Sequence, residues 1–282
     1  MSAATAPAAS PRRRGRCLAI GAAVIIALWS IVGLFAPLLM PNDPAEFVST
    51  DSFGLPSTEA LLGTDYLGRD LLSRLIDAAR ITLAMGLAAT ILAHAIGGTL
   101  GLLAAIRGGW LDTVLSRIVD VLLSLPKIIV GLVVVAALGS SVVVLIGVAG
   151  IVYAAGVFRI TRALGGDVAV LDYVRAARAR GEGVGWLLFA EVLPNVVWPL
   201  AADFAIRLGF AILFMSSLSF LGLGIQPPKA DWGGLVRENL SGLASGSLAP
   251  IFPALAIASV TISLNLLVDI LGDRRGKEPV SR

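Results

Sequence analysis

Asp203 and Arg207 stand four residues apart inside a long apolar run, a spacing that sets a carboxylate and a guanidinium on one helix face, where they can pair. The single histidine, His94, also lies mid-run among apolar neighbours. Ionisable groups in such surroundings line cavities, relay protons or neutralise one another. These three residues are therefore pathway candidates, weighed against a structural ion pair and a neutral imidazole bonded to a neighbouring helix. Catalytic groupings are missing. No Gly-rich loop ends in Gly-Lys-Ser/Thr, and residues 272–278, GDRRGKE, have the wrong spacing and lack the hydroxyl that magnesium requires. There is no Gly-x-Ser-x-Gly elbow, no His-Glu-x-x-His pair and no cluster of metal ligands. One cysteine, Cys17, excludes a disulfide framework within the chain and a Cys-based metal site. The expectation is a chain that is not an enzyme, does not hydrolyse ATP itself and binds no cofactor or metal.

The elements that hold these groups must be membrane helices. The 282 residues are 57% hydrophobic and 15% charged, with a mean hydropathy of +0.89, against about 25% charged in ordinary globular domains. Taking about 20 apolar residues per crossing, the expected spans are 17–40, 81–106, 121–138, 142–158, 196–221 and 248–271. The fold class is all-α, a polytopic bundle of about six transmembrane helices. The third span is interrupted by Pro126 and Lys127 and is expected to kink there. The opening residues 1–16 form a basic tail, and the following apolar stretch is too long for a signal-peptide core, so it reads as a retained anchor.

Orientation follows from lysine and arginine. With the amino terminus in the cytoplasm, sixteen of these residues fall inside and five outside, Arg207 lying within a span. That asymmetry places both termini in the cytoplasm. Residues 41–80 then form an external segment, and 81–282 a core whose cytoplasmic loop spans 165–195. Small residues within the spans, as in GGTLG at 97–101, suit close helix packing.

That loop contains DYVRAARARGEGVGWLLFAEVLPN at 172–195. Alanines at 176, 177 and 179 favour helix, and Arg175 and Arg178 lie on one face. Gly181 is suited to end the helix, and Pro194 fits the first turn of the next. A helix exposing alanines can seat closely in a partner's groove, whereas a plain solvated loop needs no such order.

The Ala176-Ala177, Gly181, Leu193-Pro194-Asn195 spacing resembles the coupling ("EAA") loop of bacterial ABC importer permeases. Residues 63–74, GTDYLGRDLLSR, 218–233, LSFLGLGIQPPKADWG, and 265–273, NLLVDILGD, are similar to motifs of the dipeptide/oligopeptide/nickel group, in its C-type permease subunit. The chain departs from that pattern where Arg175 replaces the usual acid, at Glu191, and at Val268 in place of a glycine. Residue types alone allow 63–70 to be a turn and helix cap with Asp65 bonding backbone amides, and Trp232 to be an interfacial anchor.

The resemblance implies a type I-like permease bundle in the bacterial inner membrane, with Tyr173, Arg175, Ala176, Ala177, Arg178, Gly181 and Pro194 in ATPase coupling. The implied partners are a homologous second permease, two cytoplasmic ATPases, an external solute-binding protein and the bilayer, with no nucleic acid. Peptides are the implied cargo and a nickel chelate the alternative. The rival function is a non-transporting or degenerate membrane scaffold.

Overall fold

A computed structural model describes residues 11–275. The basic-tail reading of 1–16 and the carboxyl-terminal cations at 274–282 lie, wholly or in their side chains, outside the described residues. Among the described residues the regular structure is helical apart from two isolated β-bridges. The main helices are α1 (Pro11–Leu34), α2 (Leu71–Arg107), α3 (Gly109–Ser124), α4 (Lys127–Leu138), α5 (Val142–Ala169), α6 (Asp172–Ala179), α7 (Val184–Leu223), α8 (Trp232–Glu238) and α9 (Ile251–Arg275).

Five of these helices are long and apolar enough to cross a membrane, or six if the bent pair α3–α4 is one span. The break falls at Leu125–Pro126, as expected of a proline, but its size, 89°, exceeds a kink: both flanking residues are extended and the helix restarts at Lys127. Lys127 is thereby corrected from a cytoplasmic loop position to the amino end of a membrane helix, its Nζ 4.8 Å from the Tyr153 ring centre in mid-α5.

Other boundaries also move. α2 starts at Leu71 rather than near 81, because the Asp70 side chain accepts from the amides of Leu72 and Ser73. α5 runs on to Ala169 and α7 begins at Val184. Two turns of π-helix, His94–Gly98 in α2 and Leu187–Val192 in α7, widen the ladder, and the end of α7 kinks at Gly222, whose φ is +91.

α5 is the central post, packed on α2, α3, α4 and α7. Its contact with α2 is backbone-close, since a Cβ on Gly97 would meet the Ala154 carbonyl oxygen at 2.2 Å. The two largest of four apolar clusters among the described residues lie in the bundle: one joins α2, α4, α5 and α7 around Val135, Leu145 and Phe214. The other joins α2, α7, α8 and α9 around Ile212, Trp232 and Leu235. α1 lies outermost, tied to α9 by Trp29 Nε1 donating to Ser259 Oγ at 2.9 Å.

Candidate coupling loop and buried charge network

α6 ends in a complete Schellman motif. Gly181 takes φ +84, its amide donates to the Arg178 carbonyl at 3.0 Å, and the Glu182 amide donates to the Ala177 carbonyl at 3.3 Å. Nothing crowds Gly181, so the left-handed backbone alone makes glycine the fitting residue there.

The face this helix turns inward differs from expectation. Val174 and Ala177 are fully buried, packed with Leu102, Ile106, Leu187, Leu188 and Val192. Ala177 is therefore corrected from an outward groove contact to the small residue that lets α6 lie close to its own bundle. Arg178 likewise turns back, its Nη2 donating to the Ile106 carbonyl at the carboxyl end of α2 at 3.0 Å. The outward face carries Tyr173, Arg175 and Ala176. Arg175 is 67% exposed and 3.8 Å from Asp172. Pro194 stands in the first turn of the α-helical stretch Leu193–Leu218, as expected, but that stretch continues a helix that has run since Val184, and the π turn just before Pro194 widens the ladder where proline supplies no amide.

In the membrane region the three pathway candidates converge. Arg207 Nε donates to Asp203 Oδ2 at 2.7 Å, and His94 Nε2 approaches the same oxygen at 3.3 Å. His94 Nδ1 faces the Thr90 carbonyl at 3.0 Å, and Phe204 leans on the ring with centroids 5.0 Å apart. Both ring nitrogens thus face oxygen acceptors. The helix spacing foretold the Asp203–Arg207 pair; nothing local foretold His94, which arrives from another helix.

The sequence pattern of the family described as "Binding-protein-dependent transport system inner membrane component" matches residues 97–275, more than half of the chain and the elements just described from Gly97 onward. The chain belongs to that family. It is similar, at 37% identity over 91% of this chain and 85% of the relative, to the glutathione transport system permease protein GsiD of Pectobacterium atrosepticum. It is 36% identical to the GsiD protein of Escherichia coli over 93% of this chain and 87% of that one. It is 34% identical to the dipeptide transport system permease protein DppC of Alkalihalophilus pseudofirmus over 91% and 84%. The chain is a membrane permease subunit of an ABC importer, and the scaffold reading is not favoured.

The segment before α2 is held to the end of α8 by an ionic clasp. Asp65 Oδ1 accepts from the amides of Leu67 and Arg69 at 2.8 and 2.9 Å, as its turn-forming residue type suggested. Its Oδ2 accepts from Arg69 Nε at 2.8 Å and Arg74 Nη1 at 2.6 Å. Arg74 Nη1 also reaches Glu238 Oε2 at 2.8 Å, and the Tyr66 amide donates to Asn239 Oδ1 at 3.1 Å. Glu238 and Asn239 were missed because no local pattern marks a partner so distant in sequence. Trp232 is corrected from interfacial anchor to core residue: it is fully buried, donates from Nε1 to the Leu75 carbonyl at 3.2 Å, and stacks edge-on with Trp29 at 4.8 Å.

Beside it, Asp231 caps α8 by accepting from the Gly234 amide at 2.7 Å and from Ser219 Oγ. Burial pushes its carboxyl above the ordinary 3.8. The folded protein then holds this proton more tightly than the unfolded chain, so the contribution of Asp231 to stability falls as pH rises from that value toward the raised one. Asp231→Asn keeps an acceptor for the Gly234 amide and is expected to flatten this slope. Thermal unfolding in detergent across that window checks it; an unchanged slope would assign the pH dependence elsewhere.

Proposed function

We propose that this chain is the second, C-type permease of a peptide-type importer, carrying α6 as the helix that receives the motion of cytoplasmic ATPases. The observation that carries this reading is α6 itself: a short helix closed by Gly181, seated on the inner ends of α2 and α7 through Val174 and Ala177, and presenting Tyr173, Arg175 and Ala176 outward. Such a helix transmits force into the bundle because its inner face is packed rather than solvated. The relatives' printed substrates, glutathione and dipeptides, support peptides as the cargo class.

In this reading ATP and Mg are bound only by partner ATPases, a homologous permease completes the path, and an external binding protein delivers the solute. Both termini face the cytoplasm; the charge asymmetry still favours this after Lys127 is moved from the loops into the membrane. Asp203, Arg207 and His94 belong to the path between the two permeases.

Co-expression with cognate ATPases, a second permease and a binding protein tests the assignment. A complex that co-purifies and takes up peptide only with ATP is expected; a chain that retains no ATPase would overturn it. Orientation is read separately with Ser57→Cys in a Cys17→Ser background: an impermeant thiol reagent should label it in intact cells, and labelling confined to broken cells would reverse the topology. Arg175→Glu should change uptake only modestly, since an exposed ion pair contributes about 0–1 kcal/mol.

A further inference from the structure

Lys127 opens α4, whose 12 residues rise about 18 Å, little more than half of a hydrocarbon layer about 30 Å thick. Its ammonium therefore lies deep in the apolar layer, at the level of Tyr153, and is exposed on the surface of this chain. No carboxylate among the described residues pairs with it; its recorded neighbour is the Tyr153 ring. An unpaired ammonium at that depth is costly unless water or an anion reaches it.

A second cation stands close by. The Arg207 guanidinium covers Gly156, one helical turn along α5 from Tyr153, so closely that a Cβ there would lie 2.6 Å from Nη1. Arg207 engages Asp203 through Nε, and that carboxylate also lies 3.3 Å from His94 Nε2, so among the described residues one acid stands against the two cations Lys127 and Arg207. The amino end of α4 points into the same place: Pro126 occupies its cap position and no side chain caps it, leaving amide donors and the positive end of the helix dipole uncompensated.

We propose that Lys127, Arg207 and the amino end of α4 form a water-reached, anion-attracting constriction in the translocation path, which favours solutes carrying a carboxylate. The proposal rests on the permease reading and adds to it a charge preference and the residues that set it. Tyr153 is a positioning residue, holding Lys127 by its ring while its hydroxyl donates to the Phe210 carbonyl at 2.9 Å.

Charge-selective labelling tests this without requiring transport. Leu125→Cys, two residues from Lys127 and half exposed, is made in the Cys17→Ser background. Membranes holding the assembled importer are treated with anionic sulfonatoethyl or cationic trimethylammonioethyl methanethiosulfonate. Relative to the rates on a small free thiol, the anionic reagent should be favoured about tenfold, and Lys127→Gln or Arg207→Gln should each reduce that preference toward unity. Lys127 holds no ion pair, so Lys127→Gln is the variant whose folding is least at risk. Millimolar diglycine should slow the anionic reagent, whereas diglycine amide should not. Labelling by neither reagent would show Lys127 facing lipid, and a cationic preference would reverse the field; either overturns the proposal. Equal action of diglycine and its amide would overturn the carboxylate assignment. These outcomes are distinct from loss of ATPase co-purification, which bears on the coupling reading.

Discussion

Asp65→Ala is expected to unfold the segment that precedes α2, with a loss of about 3–5 kcal/mol, because it leaves two buried guanidinium groups without their shared carboxylate. Arg69 and Arg74 have side chains 4% and 2% exposed, and Asp65 is fully buried. Glu238 cannot take over unaided: it is already 2.8 Å from Arg74 and stands 3.7 Å from Arg69. One Nη2 of each arginine already lacks a hydrogen-bond partner, so the network has no spare acceptor. The contrast is Arg159→Gln. Arg159 pairs with Asp120 at 2.8 Å, but the two side chains are 62% and 47% exposed, and its removal should cost no more than about 1 kcal/mol. Thermal unfolding in detergent, followed by size-exclusion profile, measures both. A stable Asp65→Ala protein would show that the clasp is dispensable.

Ala177→Leu and Gly181→Val are expected to abolish ATPase association and uptake, by different physical routes. Ala177 has no exposed surface, and three further carbons must displace α6 from Leu102, Ile106 and Val192; overpacking of this kind costs about 1–3 kcal/mol. Gly181→Val forces a β-branched residue to φ +84, which opposes the turn and frays the helix end. The rest of the bundle does not depend on either site, so both proteins should insert normally. Full uptake by both would show that α6 does not carry the coupling. Ala176→Leu serves as a comparison: its side chain faces outward, so any loss there reports contact with a partner rather than repacking within the chain.

What could be read without coordinates followed the range of the interaction. Hydropathy located the crossings because each helix must satisfy its backbone internally in lipid, and Gly181 declared the end of α6 because the cause is local. The inward turn of Ala177 was half written in the pairing of Val174 and Ala177 three residues apart, a short apolar stripe that the neighbouring arginines obscured. Trp232 was misread since an isolated tryptophan near a span end looks the same whether it meets headgroups or Trp29, and 203 positions separate the two tryptophans. The Pro126 break was legible as a break, but its 89° angle depends on how α3 and α4 separately pack on α5. His94 and Asp203, like Arg74 and Glu238, meet only because α2 runs beside α7 and α8.

The helix that makes those meetings possible also joins the two faces of the molecule. α2 is 37 residues long, about 55 Å at about 1.5 Å per residue. At its amino end Arg74 is fastened to Asp65 and Glu238; at its carboxyl end the Ile106 carbonyl accepts from Arg178 of α6. One long rod is thus pinned to α6 at one end and to the ionic clasp at the other, with its change of helical pitch, the π turn at His94–Gly98, beside Asp203. A tilt imposed at one pin must reappear at the other or be absorbed between them, so the distance between Arg74 and Ile106 acts as the gauge that tells a rigid stroke from a bend.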